Sequence, residues 1–351
     1  MNQTQPKNNS LVRQQRKDQH LDWALSLPDS PSTSGFEDIM LIPEALPDLS
    51  LSDIDLSTNF CGFPLQAPLM INALTGGTRR AAAINARLAE VAKQTGLMLA
   101  VGSQRIALTD SSTKYSFTIA RRVNPSGVIW ANLSADSSVD DARRAVDMLE
   151  AQGLQLHLNA AQELTMDEGD RSFYWTPKIR AIAEQMTIPV VAKEVGCGLS
   201  GQTAKRLLNL GMSAIDIGGV GGTNFIDIES SRKGYHDSSF ENWGLPTAWS
   251  LLDIRALNPR AEICATGGIR TGLDIAKALA MGAKVCGMAK PMLAAVVSGG
   301  VKAGIQLVLK CLRDLKMAML LVGAKDLASL RHKPVVFCNK TATYWQSRGL
   351  T

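Results

Sequence analysis

The sequence predicts an α/β fold, a single (β/α)8 (TIM) barrel with an N-terminal extension. Three observations carry this. From Pro64 onward, apolar runs of strand length alternate with helical patterns, as expected for parallel strands joined by crossover helices. The runs number eight. Two turns near the end of the chain, one strand apart, sit where such barrels hold phosphate. An open doubly wound sheet is the alternative, but so late a glycine turn fits it poorly.

Taken in order, residues 69–72 read as strand 1, with a helix across 79–94. Strand 2 spans 97–101 and strand 3 spans 128–133, followed by a helix across 139–152. Strand 4 covers 154–159, with a helix across 177–185, and strand 5 covers 189–195, with a helix across 201–210. Strand 6 is 214–218, followed by a helix across 247–257. Strands 7 (263–266) and 8 (284–288) flank an amphipathic segment across 271–281, and a last helix runs through 301–321. Long insertions after strands 4 and 6 fall at the end where barrel enzymes place their chemistry. The expected organisation is a disordered tail (1–12), an N-terminal extension (13–63), the barrel (64–340) and a C-terminal tail (341–351). Residues 1–10 are Asn/Gln-rich, which favours disorder, and Pro28, Pro31, Ser32 and Ser34 mark a loop. Between them, residues 13–24 read as a short helix, with Leu21 and Leu25 in an apolar stripe. Arg13, Arg16, Lys17 and His20 cluster elsewhere on it, and pattern alone makes that face solvated.

Composition narrows the function. The chain of 351 residues is 45% hydrophobic and 20% charged, enough for a large core. Its apolar runs read as shorter than a membrane span and its first thirty residues are polar, so a cytoplasmic protein without membrane association is expected. The six cysteines are scattered without a Cys-x-x-Cys pair, which argues against a disulfide framework or a zinc site. Cys264 and Cys286 read as small core residues. A net charge of +5 suits an anionic small ligand. Without basic-aromatic interleaving it does not point to nucleic acid.

The late turns supply a first site. Strand 7 ends in Thr266-Gly267-Gly268-Ile269-Arg270 and strand 8 in Ala289-Lys290. Glycine lets the backbone approach an anion, and helix N-termini offer free N–H groups. Polar residues also gather at the other strand ends: Asn72 and Thr75, Ser103-Gln104-Arg105, Asn132, His157 and Asn159, Lys193 and Glu194, and Thr223-Asn224. In strand 4 leucines alternate with Gln155, His157 and Asn159, which turns the polar face into the barrel. A lone histidine is ordinarily a core residue; Asn159, Gln162 and Glu163 beside His157 favour a site. Glu163 belongs either to a solvated loop or to a Mg²⁺ held through one carboxylate, waters and phosphates. An inward Lys193 needs an anion, a ligand or Glu194, since an unpaired buried charge is costly.

These residues fall into an ordered set of motifs. They are Arg16-Lys17-x-x-His20, Asn72-Ala73-Leu74-Thr75-Gly76-Gly77-Thr78, Gly102-Ser103-Gln104-Arg105 and His157-Leu158-Asn159-x-x-Gln162-Glu163. Glu168-Gly169-Asp170-Arg171, Lys193-Glu194-Val195-Gly196, Gly219-x-Gly221-Gly222-Thr223, Trp243-Gly244-x-Pro246-Thr247 and Thr266-Gly267-Gly268-Ile269-Arg270 complete it. The set resembles type II isopentenyl-diphosphate isomerase from about residue 13 to 337. Each motif is weak by itself; their order is specific.

The resemblance implies an FMN-dependent barrel that interconverts isopentenyl and dimethylallyl diphosphate. The flavin would be reduced, with NADPH as reductant, and Mg²⁺ would be required, without net redox change. It implies FMN contacts from Ala73, Leu74, Thr75, Ser103, Asn132, Lys193 and Thr223. Gly267, Gly268, Arg270, Ala289 and Lys290 would hold the FMN phosphate. Arg16, Lys17, His20, Ser103, Gln104 and Arg105 would bind the diphosphate, making the first helix a cationic lid and reversing the pattern-only reading. His157, Asn159 and Gln162 would line the allylic end and the diphosphate as the catalytic group, Gln162 also touching substrate, and Glu163 would bind the metal. A homotetramer or homo-octamer is implied. Two departures stand out: Leu74 where the family often has Met, a change that conserves volume, and Asn224-Phe225 where it usually has Ser-Trp.

Two rivals share parts of this pattern. An FMN-dependent 2-hydroxy-acid oxidase needs a histidine at a late strand end, and residues 218–223 contain none. A non-catalytic flavin-binding barrel need not keep Arg16, Lys17, Arg105, Gln162 and Glu163, all of which are present.

Overall fold

Eight short, largely apolar segments close on themselves in a computed structural model that describes residues 10–28, 32–234 and 238–350. Barrel strands β1 (Leu69–Ile71), β2 (Met98–Ala100), β3 (Ile129–Ser134) and β4 (Gly153–Leu158) are followed by β5 (Val190–Glu194), β6 (Ala214–Asp216), β7 (Ile263–Thr266) and β8 (Val285–Met288). All pair in parallel in chain order, and β8 closes against β1. Each expected strand is present; β7 has the expected ends, and the others differ by one or two residues at one end or both.

The barrel interior has two layers of opposite character. Near the strand beginnings, Met70, Met98, Trp130, Val191, Cys264 and Val285 form an apolar plug with Phe60 and Leu65. These last two come from an antiparallel hairpin, Thr58–Phe60 with Phe63–Leu65. Phe60 stacks on Trp130 with ring centroids 5.7 Å apart. Gly153 opens β4 because a Cβ there would lie 2.5 Å from the Trp130 ring. Toward the strand ends the inward side chains turn polar: Asn72, Asn132, Gln155, His157, Lys193, Asp216 and Thr266. A larger apolar layer fills the space between the strands and the surrounding helices.

Those helices begin with α1 (Ser10–Ser26) and include α2 (Arg79–Thr95), α3 (Tyr115–Val123) and α4 (Val139–Leu149), then α5 (Ala160–Thr165), α6 (Thr176–Gln185) and α7 (Gly201–Asn209). After them come α8 (Phe225–Arg232), α9 (Thr247–Leu257), α10 (Gly272–Ala280), α11 (Lys290–Leu321) and α12 (Asn339–Ser347). Capping boxes fix the starts of α4 (Ser138 with Asp141) and α10 (Thr271 with Asp274). The insertions after β4 and β6 carry α5 and α8, which the sequence pattern did not mark because they are only 6 and 8 residues long.

Four expectations need correction. The last helix starts directly after β8 and is bent at Gly300, whose φ is 66°. By length and composition, α11 is apolar enough to cross a membrane, contrary to the reading of short apolar runs. Here its Val296, Val308, Cys311, Leu315 and Met319 face the protein, against α2 and α10. The C-terminal tail is ordered as α12, and Val335–Phe337 pairs antiparallel with Ile39–Leu41 outside the barrel. The Asp38 carboxylate accepts from the Thr341 N–H (3.2 Å) and Asn339 Nδ2 (3.0 Å), while Tyr344 stacks on Trp249 at 4.5 Å. Aromatic burial and a buried cap thus tie the tail to the N-terminal extension. Helix α1 also reaches back to Ser10, into the expected tail. Residues 1–9, Pro31 and Thr351 lie outside the described residues, so the disorder expected for 1–9 is untouched.

The hairpin plug gives the first prediction. Phe60→Ala removes an aromatic side chain that is 1% exposed, so stability should fall by about 3–5 kcal/mol. A urea unfolding midpoint equal to that of the unaltered protein would show that the plug contributes little.

Candidate active site

The strand ends open into a cavity of about 670 Å³. Its floor is the polar layer. Asp216, at the end of β6 and 0% exposed, accepts from Asn72 Nδ2 (2.7 Å), Gln155 Nε2 (3.3 Å) and the Thr266 hydroxyl. Lys193 Nζ lies 3.4 Å from the same carboxylate and donates to the Glu194 carbonyl at 3.0 Å. Lys193 therefore finds its anion in Asp216. The Glu194 carboxylate faces the other way and accepts the N–H groups of Gly196 (2.6 Å), Cys197 (2.5 Å) and Gly198 (2.9 Å), folding the loop after β5. Burial raises its pKa to about 7 against these bonds. Sequence reading missed Asp216, although a carboxylate between Ile215 and Ile217 in a strand carries the same signal as Lys193.

Next to this floor, Gln155 Oε1 accepts from Asn132 Nδ2 (3.1 Å), and Asn132 Oδ1 meets His157 Nδ1 at 2.9 Å. Burial lowers the His157 pKa to about 3, helped by the charges of Lys17, Lys193 and Arg105. A neutral imidazole follows.

One wall is built by the late glycine turn. Gly267 (φ 99°) and Gly268 (φ 75°) hold left-handed conformations that a side chain would strain. A Cβ on Gly267 would also strike the Gly219 carbonyl. Arg270 bonds the carbonyls of Gly268 (2.8 Å) and Gly221 (2.7 Å), and Lys290 that of Leu27 (2.8 Å). Beside them lie the starts of α10 and α11, whose N–H groups favour an anion. Ala73, Leu74, Thr75, Ala289 and Thr223 line the same cavity. This donor set and glycine cradle fit a flavin phosphate.

Helix α1 forms the roof, which overturns its pattern-only reading as a solvated helix. Lys17 Nζ donates to the Ser103 carbonyl at 3.1 Å, above the Phe117 ring. Burial, then the charges of Arg16 and Arg13, lower its pKa to about 7. Arg16 pairs with Glu168 at 3.3 Å, and Arg105 lies 3.5 Å from Asp136. His20 Nε2 is 2.8 Å from Glu229 of α8, and burial lowers the His20 pKa although Glu229 opposes this. Glu229, which sequence reading also missed, is buried. Burial alone would raise its pKa, yet contacts with His20, Gln162 and Arg232 hold it at about 2. Gln162 Nε2 donates to it at 2.9 Å.

Beyond β4, Asn159 Nδ2 donates to Gln162 Oε1 (3.3 Å) and Glu163 Oε1 (2.9 Å), while the Asp170 N–H donates to Glu163 Oε2 (2.9 Å). No group of three or more metal-ligating side chains occurs among the described residues. A metal at Glu163 would complete its shell from water and an anionic ligand, as Mg²⁺ does. Phe225 lines the cavity edge-on to His20, with ring centroids 6.1 Å apart.

The cavity brings together every expected site residue except Gln104. That side chain is 0% exposed and turned into the protein. It donates to the Ala145 carbonyl (2.9 Å) and accepts the Asn132 N–H (3.1 Å). Gln104 thus fixes β3 against α4 and does not reach a ligand with its side chain.

Residues 109–336 match the model of the FMN-dependent dehydrogenase family. The isopentenyl-diphosphate delta-isomerase of Moorella thermoacetica is 48% identical, covering 96% of this chain and 97% of the relative. That of a Geobacillus strain is 43% identical, covering 97% of each. The chain belongs to the type II isopentenyl-diphosphate delta-isomerase family. Solved structures similar in fold include a flavocytochrome b2 variant with pyruvate bound (TM-score 0.70, 20% identity, 92% of this chain and 83% of that one). A Pediococcus acidilactici lactate oxidase, described as putative, is another (TM-score 0.69, 16% identity, 94% and 93%). At such identity they show the shared barrel alone.

The low Lys17 pKa has a consequence for anion binding. Near pH 7 the ammonium is only partly formed, and an anion in the cavity favours it. Affinity for inorganic diphosphate should therefore fall as pH rises above about 7, and the fall should flatten in Lys17→Arg. Calorimetric titrations of both proteins with equal pH slopes would show that Lys17 is not the group responsible.

Proposed function

We propose that this chain interconverts isopentenyl diphosphate and dimethylallyl diphosphate by a 1,3-allylic proton shift, using reduced FMN and Mg²⁺ without net redox change, in isoprenoid biosynthesis. The observation that carries this is a pair of distinct anion-binding features in one cavity. Gly267, Gly268, Arg270 and the α11 start would hold the FMN phosphate. Arg16, Lys17, Arg105 and a metal at Glu163 would hold the substrate diphosphate.

The residues fit that division of work. A diphosphate needs several cations, because one lysine cannot neutralise it, and charge-assisted bonds from arginine add direction. The hydrocarbon end has no polar handle. Anchoring the diphosphate under α1 therefore positions the alkene relative to the floor, and Phe225 and Leu74 offer it apolar wall. Adding a proton at one alkene carbon and removing one from another places positive charge on the hydrocarbon. Glu229, buried and ionised, orients Gln162 and His20 toward the cavity and supplies a compensating negative charge at its edge. Reduced FMN, when bound, supplies the proton-transfer chemistry itself. Lys193, fixed by Asp216, would meet the flavin ring with positive charge, and Asn132 and Thr75 would orient it.

NADPH as the reductant, a homotetramer or homo-octamer as the assembly, and a cytoplasmic location belong to this reading on the strength of the family resemblance.

Purified protein should turn over isopentenyl diphosphate with reduced FMN and Mg²⁺, and not with oxidised flavin or without metal. Glu163→Gln should raise the Mg²⁺ concentration needed by about 10–100-fold. Arg16→Ala removes a charge-assisted bond and should lower kcat/KM by about 10–100-fold. Absence of product from protein that demonstrably binds FMN would sink the isomerase reading and leave a flavin barrel with another role.

A further inference from the structure

The direction of each hydrogen bond across the cavity floor follows from three fixed points. The Ala73 N–H donates to Asn72 Oδ1 at 2.7 Å, which turns Asn72 Nδ2 onto the Asp216 carboxylate, also at 2.7 Å. The Gly218 N–H donates to the Thr266 hydroxyl oxygen at 2.9 Å, so the hydroxyl proton is directed at Asp216. Lys193, which has only protons to offer, is the third donor beside that carboxylate. Asp216 is therefore purely an acceptor. Gln155 then faces two acceptors on one side, Asn72 Oδ1 at 3.0 Å and Asp216 Oδ2 at 3.3 Å, and must present its Nε2 there. Its Oε1 is left for Asn132 Nδ2, and Asn132 is left with only its Oδ1 for His157 Nδ1; the Leu133 backbone carbonyl is a further acceptor beside the ring, so both protein groups that meet the imidazole call for a proton from it. An amide oxygen has no proton to give, so Nδ1 carries one.

We infer that Asp216, acting through Gln155 and Asn132, is the positioning residue that fixes neutral His157 as the Nδ1–H tautomer and leaves its Nε2 as a hydrogen-bond acceptor for the cavity. The two nitrogens of a histidine are set apart by the bond that one of them makes, and here that bond is reached through two amides from a buried carboxylate. Register supports the relay: Asn132 pairs with Gln155 across β3 and β4, and Lys193 with Asp216 across β5 and β6. In the isomerase reading, on which this consequence rests, His157 receives an N–H or O–H hydrogen beside the alkene. It does not donate one to the diphosphate.

The test reads the tautomer directly and does not use turnover. The chain has four histidines, so nitrogen-15 histidine labelling of the FMN-loaded, oxidised protein gives a sparse long-range proton–nitrogen correlation spectrum. The His157 signals are identified by their loss in His157→Gln. The expected result is Nδ1 in the protonated range and Nε2 in the unprotonated range at neutral pH. In Asp216→Asn and in Gln155→Met the second tautomer should appear. Gln155→Met cuts the relay while leaving Lys193 its partner, so it decides the matter where Asp216→Asn fails to fold. A wild-type Nε2–H tautomer, or a doubly protonated ring, would overturn the inference. So would a pure Nδ1–H signal that survives in folded Gln155→Met. Each of these outcomes is independent of whether the protein isomerises its substrate.

Discussion

The ion pair between Asp216 and Lys193 is the interaction on which the upper half of this barrel depends. A lysine pointing into a closed barrel would be strongly disfavoured without an anion, and a carboxylate there would be worse. Together, with Asn72, Gln155 and Thr266 taking up the remaining acceptor positions, they make a satisfied polar layer. That layer stands above an apolar plug led by Phe60 and Trp130. The division is what turns a packed barrel into a barrel with a mouth. Below it the core is filled by side chains, and above it a rigid polar floor is held by bonds to six of the eight strands or their ends. Ligand-binding groups built on such a floor keep their orientation without help from the loops.

The two missed carboxylates show where sequence reasoning fell short. The rhythm of strands and helices was legible because parallel strands buried on both faces read as apolar runs, and the turn after β7 because its paired glycines mark a backbone that needs positive φ. His157 and Lys193 stood out as polar residues at strand ends. Asp216 has the same status and was passed over within an otherwise apolar run. Glu229 had no local signal at all. It lies in an insertion helix that carries other charges, and its partners outside that helix, Gln162 of α5 and His20 of α1, come from distant parts of the chain. Gln104 shows the opposite error. Its neighbours Ser103 and Arg105 reach the cavity, but the chain turns between them and sends the glutamine into the protein to secure the Asn132 backbone.

The C-terminal segment extends the same lesson to the frame. A sequence of polar and aromatic residues after the last long helix has no periodicity strong enough to mark an element. Its strand and helix exist because Asp38 and Trp249 offer a cap and a ring to stack on. In holding the N-terminal extension, this clasp also fixes the base from which α1 is carried to the cavity mouth.

That roof explains how a strongly cationic site is tolerated before an anion arrives. Arg16 is paired with Glu168, which also meets Arg232, and Arg105 with Asp136. Lys17, the cation most deeply placed, is desolvated until its charge is weakly held. The positive charges are thus either neutralised by carboxylates at the rim or partly discharged. In the proposed function, a diphosphate entering the cavity would compete with Glu168 for Arg16 and favour the charged form of Lys17, so groups that pair with one another become available to the ligand. Glu229 is outside this exchange. It is tied to Gln162, His20 and Arg232 at once, and so remains a fixed negative charge beside the roof cations.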